Sequence, residues 1–355
     1  MNAWHWQRVE DPWQEPENTT AVFALNAWRG HLYLGTRNLH NGGEVLRSAD
    51  GIHWHSIAAQ GFGDAANRDI YGFVGFKDML YAGTYNAVRG DHHTESDRGA
   101  EIWRSASGTD WEPVVQDGFG DRHNQDMFNR AAFAGHLYAG TWNPVSGAEI
   151  WRSLDGTSWA QVFKAAAKEC DYVRAFATMG GRLYASMGKL APYALYETDD
   201  GVHWRDVVRG RLPDYLTDGM RIGVVDDSLV ATLTQWHSDR PVEVWRYHRD
   251  CWERINEPGF GYADNHLAGG LTAYRGRVAL ATWNEQCGTQ VWICDDVLHP
   301  VWSQINQDGF GDPCNLGCVF GMTSFGDRIY VGTAMHRGHR ASQLWAGVET
   351  TQRLR

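Results

Sequence analysis

The chain has 355 residues, among them 40 Gly, 18 Trp and 14 Tyr, and only 21% of its residues are charged. This composition excludes an intrinsically disordered chain, and the glycine content favours many turns over long helices. The formal net charge is −11 and no block of consecutive Lys or Arg occurs, which argues against nucleic acid or an anionic membrane surface as the main partner.

The N-terminal residues 1–9 contain no basic stretch followed by an apolar one, and no apolar run approaches the length of a membrane-spanning helix. We therefore expect a cytoplasmic protein with no membrane partner. The six cysteines are too scattered for a disulfide scaffold or a zinc motif, and no nucleotide-binding loop is present, so we expect no cofactor. The oligomeric state stays open at this point.

A phrase made of a tight turn, a hydrophobic anchor and usually a tyrosine recurs seven times. The anchors lie 48, 57, 46, 46, 49 and 51 residues apart. Each unit holds four short alternating segments joined by Gly and Asp turns, which is typical of a four-stranded β-propeller blade. The anchors are Leu32, Leu80, Leu137, Leu183, Leu229, Val278 and Ile329.

The last unit lacks an outer strand, because no second Trp-x-x-Val pattern follows Trp345. That pattern occurs instead in residues 5–9, so the N-terminal strand is predicted to complete the last blade and close the ring. The sequence thus predicts an all-β fold, a single seven-bladed β-propeller domain over residues 1–355 with four-stranded blades. The predicted segments are 1–10 (outer strand of blade 7), 18–60 (blade 1), 67–116 (blade 2), 124–164 (blade 3), 170–209 (blade 4), 217–256 (blade 5), 265–306 (blade 6) and 315–347 (blade 7).

Turns before the fourth predicted strand carry a further motif, Ser-x-Asp-Gly-x-x-Trp, at residues 48–54 and 153–159, with Thr in first place at 198–204. They resemble the Asp-box (BNR) turn of sialidase-like propellers, one residue short of its usual spacing. The blade period and the paired tryptophans are similar to kelch repeats, although Gly-Thr replaces the kelch Gly-Gly doublet. Both resemblances imply architecture and carry no function. No sialidase-type Arg-Ile-Pro segment occurs, so sialidase chemistry is assigned to no residue.

Features that recur in most blades are interpreted as scaffold. Twelve tryptophans at equivalent third- and fourth-strand positions are expected to pack blades together. A recurring Glu, three residues before an Arg, is expected to make polar contacts within the scaffold. The inter-blade phrase Gly-Phe-Gly-Asp-x-x-Asn, at residues 61–67, 118–124 and 309–315 with a variant at 259–265, is expected to form turns. A Ca²⁺ or other divalent ion bound by its Asp and Asn oxygens is the alternative.

Charged residues at the start of the inner strands depart from this scaffold. An Asp begins four successive inner strands, and three of these strands carry an Arg a few residues later. An Asp–Arg ladder that fixes blade packing is one interpretation. The other is a pocket in which arginines bind an anionic group while aspartates transfer protons. The residues are Asp69, Asp126, Asp171 and Asp218, with Arg130, Arg174 and Arg221.

The junctions into blades 4 and 5 lack the glycine phrase, so the channel mouth beside blades 3 to 5 is the predicted site. Tyr172 and Tyr215 are candidate proton donors there, and Cys170 and Lys189 are further reactive groups in the same region. Aromatic residues at the ends of second strands are candidate substrate contacts: Tyr85, Trp142 and Trp283, with Trp236 nearby. The weak metal-ligand candidates are His92, His93, His237, His336 and His339.

The leading hypothesis is an enzyme that acts on a small anionic or polar-aromatic molecule at the channel mouth. Arg130, Arg174 and Arg221 would anchor the substrate, with Asp69 beside them, and Asp126, Asp171 or Asp218 would work with Tyr172 or Tyr215 in acid–base catalysis. Lyase, cyclase and hydrolase chemistry all fit. The alternatives are a lectin-like propeller that binds a sugar ligand and a protein-interaction scaffold.

Overall fold

The structure is a computed structural model, and it describes residues 3–10, 12–86, 98–188, 192–208, 211–234, 240–334 and 342–350. Almost every regular element in these residues is a β-strand, so the predicted all-β class is confirmed. Among the described residues, no helix is long and apolar enough to cross a lipid bilayer.

The strands are short and follow one another with few interruptions. The first thirteen are β1 (Ala3–Val9), β2 (Thr19–Trp28), β3 (His31–Asn38), β4 (Val45–Ser48), β5 (Trp54–Ala58), β6 (Asn67–Phe76), β7 (Met79–Asn86), β8 (Ile102–Ser105), β9 (Glu112–Val115), β10 (Asp126–Phe133), β11 (His136–Trp142), β12 (Glu149–Ser153) and β13 (Trp159–Lys164). The others are β14 (Tyr172–Met179), β15 (Arg182–Gly188), β16 (Ala194–Thr198), β17 (Arg205–Asp206), β18 (Asp218–Val225), β19 (Ser228–Thr234), β20 (Glu243–His248), β21 (Cys251–Arg254), β22 (Asn265–Tyr274), β23 (Arg277–Asn284), β24 (Val291–Cys294), β25 (Trp302–Gln304), β26 (Met322–Phe325), β27 (Arg328–Gly332) and β28 (Leu344–Thr350).

Four consecutive strands pair antiparallel as the basic unit of the fold. The strands β18–β21 and β22–β25 form two four-stranded sheets, and β26–β28 form a third sheet together with β1. The strands β2–β17 form one sixteen-stranded sheet, in which single residue pairs join successive four-strand groups. The N-terminal strand β1 pairs with β28 along its whole length, from Ala3 opposite Thr350 to Val9 opposite Leu344. This is the strand partner that the sequence predicts for residues 5–9.

Two-residue hairpins connect the first and second strands of the units. Arg29 and Gly30 have φ angles of 46° and 75°, the left-handed conformation that such a tight turn requires. The second strand that follows is the most deeply buried element, because neighbouring units cover both of its faces; Leu32, Tyr33 and Leu34 of β3 have no exposed surface. The recurrent turn phrase and its apolar anchor therefore mark the core of each unit.

The glycine phrase forms short turns between units, in which the central Phe takes a left-handed conformation. Phe119 has a φ of 61° and stacks on Trp151 of the next unit, with ring centroids 4.4 Å apart and planes 11° apart. The same stacking recurs for Phe62 on Trp103, Phe260 on Trp292 and Phe310 on Trp345. The turns are α1 (Gln60–Gly63) and the 3₁₀ turns Gly118–Gly120, Pro258–Gly261 and Asp308–Gly311.

The Asn that ends each phrase joins the same junction by hydrogen bonds. The Asn124 side-chain N–H donates to the Gly118 carbonyl at 2.9 Å and to the Glu149 carboxylate at 2.8 Å, and Trp151 Nε1 donates to that carboxylate at 2.8 Å. The recurring Glu therefore makes polar contacts within the scaffold, and at this junction its partners are an Asn, a Trp and the ammonium group of Lys164. We call this Phe–Trp stack with its Asn–acceptor–Trp hydrogen bonds the junction staple.

Candidate functional site

Residues at the start of inner strands pair with the ends of second strands from the preceding unit. Arg37 pairs with Asp69, Tyr85 with Asp126, and Trp142 with Tyr172. These pairs occupy corresponding places in successive units, so their side chains meet at one end of the inner strands. We call this group the central cluster.

All four predicted aspartates are buried. Asp69 and Asp218 have no exposed surface, and Asp126 and Asp171 are 2% exposed. Tyr172 donates its hydroxyl to Asp126 Oδ2 at 2.6 Å, and Trp142 Nε1 donates to Asp171 Oδ2 at 3.3 Å. Removing four carboxyls from water is costly without partners, so the hydrogen bonds of this end of the fold are organised around them.

Asp126 has the most unusual environment of these aspartates. Within the described part of the chain its Oδ1 atom has no hydrogen-bond partner, although the atom is buried. Burial raises the pKa of the Asp126 carboxyl well above its ordinary value, and the Asp69 charge raises it further; the Tyr172 hydroxyl opposes the shift. Burial and the Asp126 charge likewise raise the pKa of Tyr172. The raised pKa values favour the protonated form of both residues in a site shielded from water.

Two arginines each donate two hydrogen bonds to an aspartate of the next unit, one to each carboxylate oxygen. Arg174 Nε and Nη2 donate to Asp218 at 3.2 and 3.0 Å, and the guanidinium carbon lies 3.9 Å from the centre of the Tyr172 ring. Arg37 Nε and Nη2 donate to Asp69 at 2.7 and 2.6 Å. Within these two pairs the geometry matches the Asp–Arg ladder interpretation.

Arg130 and Arg221 bind backbone carbonyls. Arg130 donates to the Met127 carbonyl at 2.8 Å and to the Tyr71 carbonyl at 2.9 Å. Arg221 donates to the carbonyls of Gly269 at 2.9 Å and Phe320 at 2.7 Å. Burial lowers the pKa of Arg130 to about 9 and that of Arg221 to about 10. Both arginines thus tie neighbouring inner strands together.

Aromatic rings surround the charged pairs. The Trp142 ring lies 6.0 Å from Tyr85 and 5.7 Å from Tyr172, nearly parallel to Tyr172 with 21° between the planes. Trp283 belongs to the same buried cluster. The structure thus brings Tyr85, Trp142, Trp283 and Tyr172 together.

Tyr215 lies apart from this group. It packs against a different hydrophobic cluster, which includes Leu216, and its hydroxyl donates to Glu243 at 2.9 Å. Cys170 is 5% exposed and belongs to a cluster with Ala148. Seven further residues named from the sequence lie outside the described residues: Lys189, Trp236, His92, His93, His237, His336 and His339.

Two residues of the central cluster are absent from the sequence prediction. Arg37 pairs with Asp69, and Tyr71 donates its hydroxyl to Asp69 Oδ2 at 2.7 Å. A signal for Arg37 exists, because Gly-Thr-Arg37-Asn has an arginine where other units have Tyr85 or Trp142. Tyr71 has no such signal, since its role depends on the carboxylate two residues before it.

The glycine phrase at residues 118–124, one of the predicted calcium-binding segments, uses its Asp and Asn side chains in hydrogen bonds within the protein. Asp121 accepts the backbone N–H of His123 at 2.9 Å, and Asn124 is committed to the junction staple. Among the residues that the structure describes, no group of three or more His, Cys, Asp or Glu side chains is arranged to hold a metal ion. A divalent ion held by Asp and Asn oxygens stays a prediction.

No family model matches the chain, and no curated protein matches it in sequence. Solved structures do share its fold. It is similar to the WD40 repeats of RRP9, with 10% identity, 97% of each chain covered and a TM-score of 0.59. It is also similar to an ancestral GH74 enzyme, with 14% identity, 96% of this chain and 47% of that chain covered and a TM-score of 0.59.

A third similar structure is that of a prolyl endopeptidase, with 12% identity and a TM-score of 0.55. The likeness covers 84% of this chain and 44% of that one, so the chain spans less than half the length of that enzyme. At these identities the likeness is one of fold alone. The fold is β-propeller-like.

Proposed function

We propose that the fold is a seven-bladed propeller of the kelch or Asp-box type, closed by β1. Pairing of β1 with β28 supports closure, as does the bridge between Ala21 and Ala334 at the opposite ends of the chain. The Asp turn of the first unit adds a contact: Tyr330 donates its hydroxyl to the Asp50 carbonyl at 3.4 Å. Each contact joins the first unit or the N-terminal strand to the last unit.

We propose that the central cluster is the active site of an enzyme that acts on a small molecule by acid–base catalysis. The observation that carries this proposal is Asp126, a carboxyl with a raised pKa, a buried Oδ1 without a partner and a tyrosine hydroxyl on its other oxygen. Strongly shifted carboxyls concentrate at catalytic sites, because proton transfer requires a group whose pKa is matched to its task.

In this proposal Asp126 transfers the proton and Tyr172 stabilises its charged form by donating the hydroxyl hydrogen bond. Arg174 and Asp218 act as positioning residues, since the guanidinium of this ion pair packs against the Tyr172 ring. Asp69 adds negative charge near Asp126 and so keeps its pKa high. Lyase, cyclase and hydrolase reactions all require a proton transfer of this kind.

The substrate that this geometry favours is a polar-aromatic molecule. Tyr85 and Trp142 pair with Asp126 in register and belong to the buried aromatic cluster, while the guanidinium groups of Arg130, Arg174 and Arg221 already donate to acceptors of the protein. Stacking on aromatic rings then supplies more of the binding than an arginine fork on an anion. Anchoring by these arginines would require them to exchange their present partners for the substrate.

The test compares Asp126→Asn with Asp155→Asn in a turnover screen of a polar-aromatic compound library, followed by mass spectrometry. Asp155 is the matched control, because it is an exposed aspartate that binds backbone N–H groups of its own turn. We expect Asp126→Asn to lower kcat by about 10²- to 10⁴-fold, with Tyr172→Phe intermediate, and Asp155→Asn to have no effect. A substrate turned over equally well by Asp126→Asn would contradict the proposal. Binding without turnover by the unmodified protein would favour the lectin-like or scaffold alternatives.

A further inference from the structure

An aromatic groove lies at the outer edge of the fold, away from the inner strands. It separates β25, the outermost strand of one sheet, from β1, the outermost strand of the next. The concavity has a volume of about 480 Å³ and is lined by Trp4, Trp6, Phe310 and Trp345, with Gln304 among its polar residues. All four rings are half-buried, so each keeps part of its surface open to a ligand.

A second concavity of about 610 Å³ continues from the first, because both are lined by Gln304, Asn306 and Gln307. It extends to Tyr262, whose side chain is 42% exposed. The two concavities form one elongated groove with aromatic rings at both ends and amides in the middle. We call it the outer groove.

The lining of the outer groove is nearly uncharged. Its one carboxylate among the described residues, Asp308, accepts hydrogen bonds from Gln290 at 2.9 Å and from Gln304 at 2.7 Å. Rings and amides match a sugar chain, since a pyranose has an apolar C–H face and a rim of hydroxyls that donate to and accept from amides. An anionic ligand would find no cationic side chain in this lining to compensate its desolvation.

Comparison with a matching junction shows which residues are particular to the outer groove. At the junction of β9 with β13, the staple ring Phe119 and the outer Trp159 correspond to Phe310 and Trp6. That junction carries Thr157 at the position that matches Trp4 and Pro113 at the position that matches Gln304, whereas Gln116 matches Gln307. Asn306 belongs to the scaffold, because its Oδ1 accepts the Val291 N–H at 2.7 Å, as Asn256 Oδ1 accepts the Val244 N–H at 2.7 Å. The Trp4 indole is therefore the ring of the groove that the matching junction does not need.

We propose that the outer groove binds a neutral oligosaccharide, independently of any chemistry in the central cluster. The rings at its two ends would stack on separate sugar units, and the exposed Gln307 side chain would hydrogen-bond the hydroxyls between them. Trp4 also contacts Trp6 and Tyr274, at centroid distances of 6.1 and 5.4 Å, so its indole is held in position for stacking.

The experiment titrates the full chain with cellohexaose, xylohexaose, mannohexaose and chitohexaose, using calorimetry and tryptophan fluorescence, with hexagalacturonate as the charged comparison. The variants are Trp4→Thr, which installs the residue of the matching junction, and Gln307→Ala. Gln116→Ala is the matched control for Gln307→Ala. We expect at least one neutral hexasaccharide to bind, with affinity lowered about three- to tenfold in each groove variant and unchanged in the control.

Binding that is unaffected by both groove variants would place the site elsewhere and overturn the proposal, as would the absence of binding to all four neutral sugars. Stronger binding of hexagalacturonate than of any neutral sugar would also overturn it. Because Trp4 packs in the strand pair β1–β28, thermal unfolding of each variant is measured first. If Trp4→Thr does not fold, Gln307→Ala at the exposed middle of the groove decides the question. Activity of the central cluster is not a readout here, so the two proposals fail separately.

Discussion

The junction staples and the central cluster hold the same units together by opposite means. A staple uses stacked rings, an Asn and a Glu or Gln acceptor, and it is repeated with nearly the same distances, as in the 4.6 Å Phe62–Trp103 and 4.6 Å Phe310–Trp345 stacks. In the central cluster, the corresponding places hold Arg37, Tyr85 or Trp142 in different units.

This difference separates structural from functional constraint within one chain. A packing solution that works at one junction works at all, so repetition is what packing alone produces. The central cluster departs from repetition and buries ion pairs of Arg with Asp, and such charges destabilise a fold unless they are paired. At the junction into β16, Phe163 meets Tyr196 at a tilt of 57° in place of a parallel Phe–Trp stack.

The largest expected effect comes from breaking the central cluster at Arg174→Ala. The change leaves the Asp218 carboxylate, which has no exposed surface, without its cation and should cost about 3–5 kcal/mol in the free energy of unfolding. Arg37→Ala should cost less, because the Arg37 side chain is 20% exposed and water can reach its pair. Urea denaturation measures both. An equal or smaller loss for Arg174→Ala would show that the inner pairs are equivalent packing elements.

Breaking a staple should have the next largest effect. Phe119→Ala removes the ring that stacks on Trp151 and meets Trp159 edge-on, and it should lower the free energy of unfolding by about 3 kcal/mol. Phe119→Leu keeps much of the apolar volume and is expected to recover part of this loss. Urea denaturation again gives the values. If the leucine variant is as unstable as the alanine variant, ring stacking outweighs volume at the junction.

The hydrogen-bonded half of the staple is expected to contribute less. Asn124→Ala removes donors to the Gly118 carbonyl and to the buried Glu149 carboxylate, at an expected cost of about 2 kcal/mol. The control is Asn41→Ala, which removes a similar amide–carboxylate contact with Glu15 at a more exposed place. Chemical denaturation should show a smaller loss for Asn41→Ala, and the reverse order would contradict a structural role for the Asn of the phrase.

Repetition also sets what could be predicted from the sequence. The period, the hairpin turns and the partner of β1 follow from local patterns, since each depends on residues close together in one strand or turn. Asp69 and Asp126 take equivalent places in the register and are buried, whereas Tyr172 takes that place in β14 and Asp171 precedes it. Periodicity therefore predicts where these side chains lie to within one residue.

Side-chain pairing across units could not be predicted. Arg174 reaches Asp218, 44 residues further along, while Arg130 turns to the carbonyl of Tyr71 in the preceding unit. Which way a long side chain turns depends on the angle between neighbouring sheets, and no sequence pattern encodes that angle. Tyr215 is close to Asp218 in the sequence, yet its hydroxyl donates to Glu243 and lies apart from the central cluster. The reason is the same.

The smallest expected effect concerns the Asp126 carboxyl of the central cluster. Its titration shows whether the central cluster, unlike the staples, holds a group that destabilises the fold at neutral pH. Burial raises its pKa in the folded protein above that of the unfolded chain, so the folded state binds the proton more tightly. Its stabilising contribution is therefore fully present below the unfolded value of about 4 and is lost as the pH rises through the raised pKa. The free energy of unfolding should fall over that interval by up to about 1.4 kcal/mol per pH unit from this group.

Asp126→Asn keeps an oxygen that accepts the Tyr172 hydroxyl and removes the titration. Urea denaturation of both proteins from acid to neutral pH should show the variant gaining relative to the unmodified chain as the pH rises. Glu101, whose pKa is also raised by burial, is present in both proteins, so its contribution cancels in the difference. Parallel pH profiles would mean that Asp126 is ionised or unshifted in the folded state, and the central cluster would then be a structural ladder comparable to the staples.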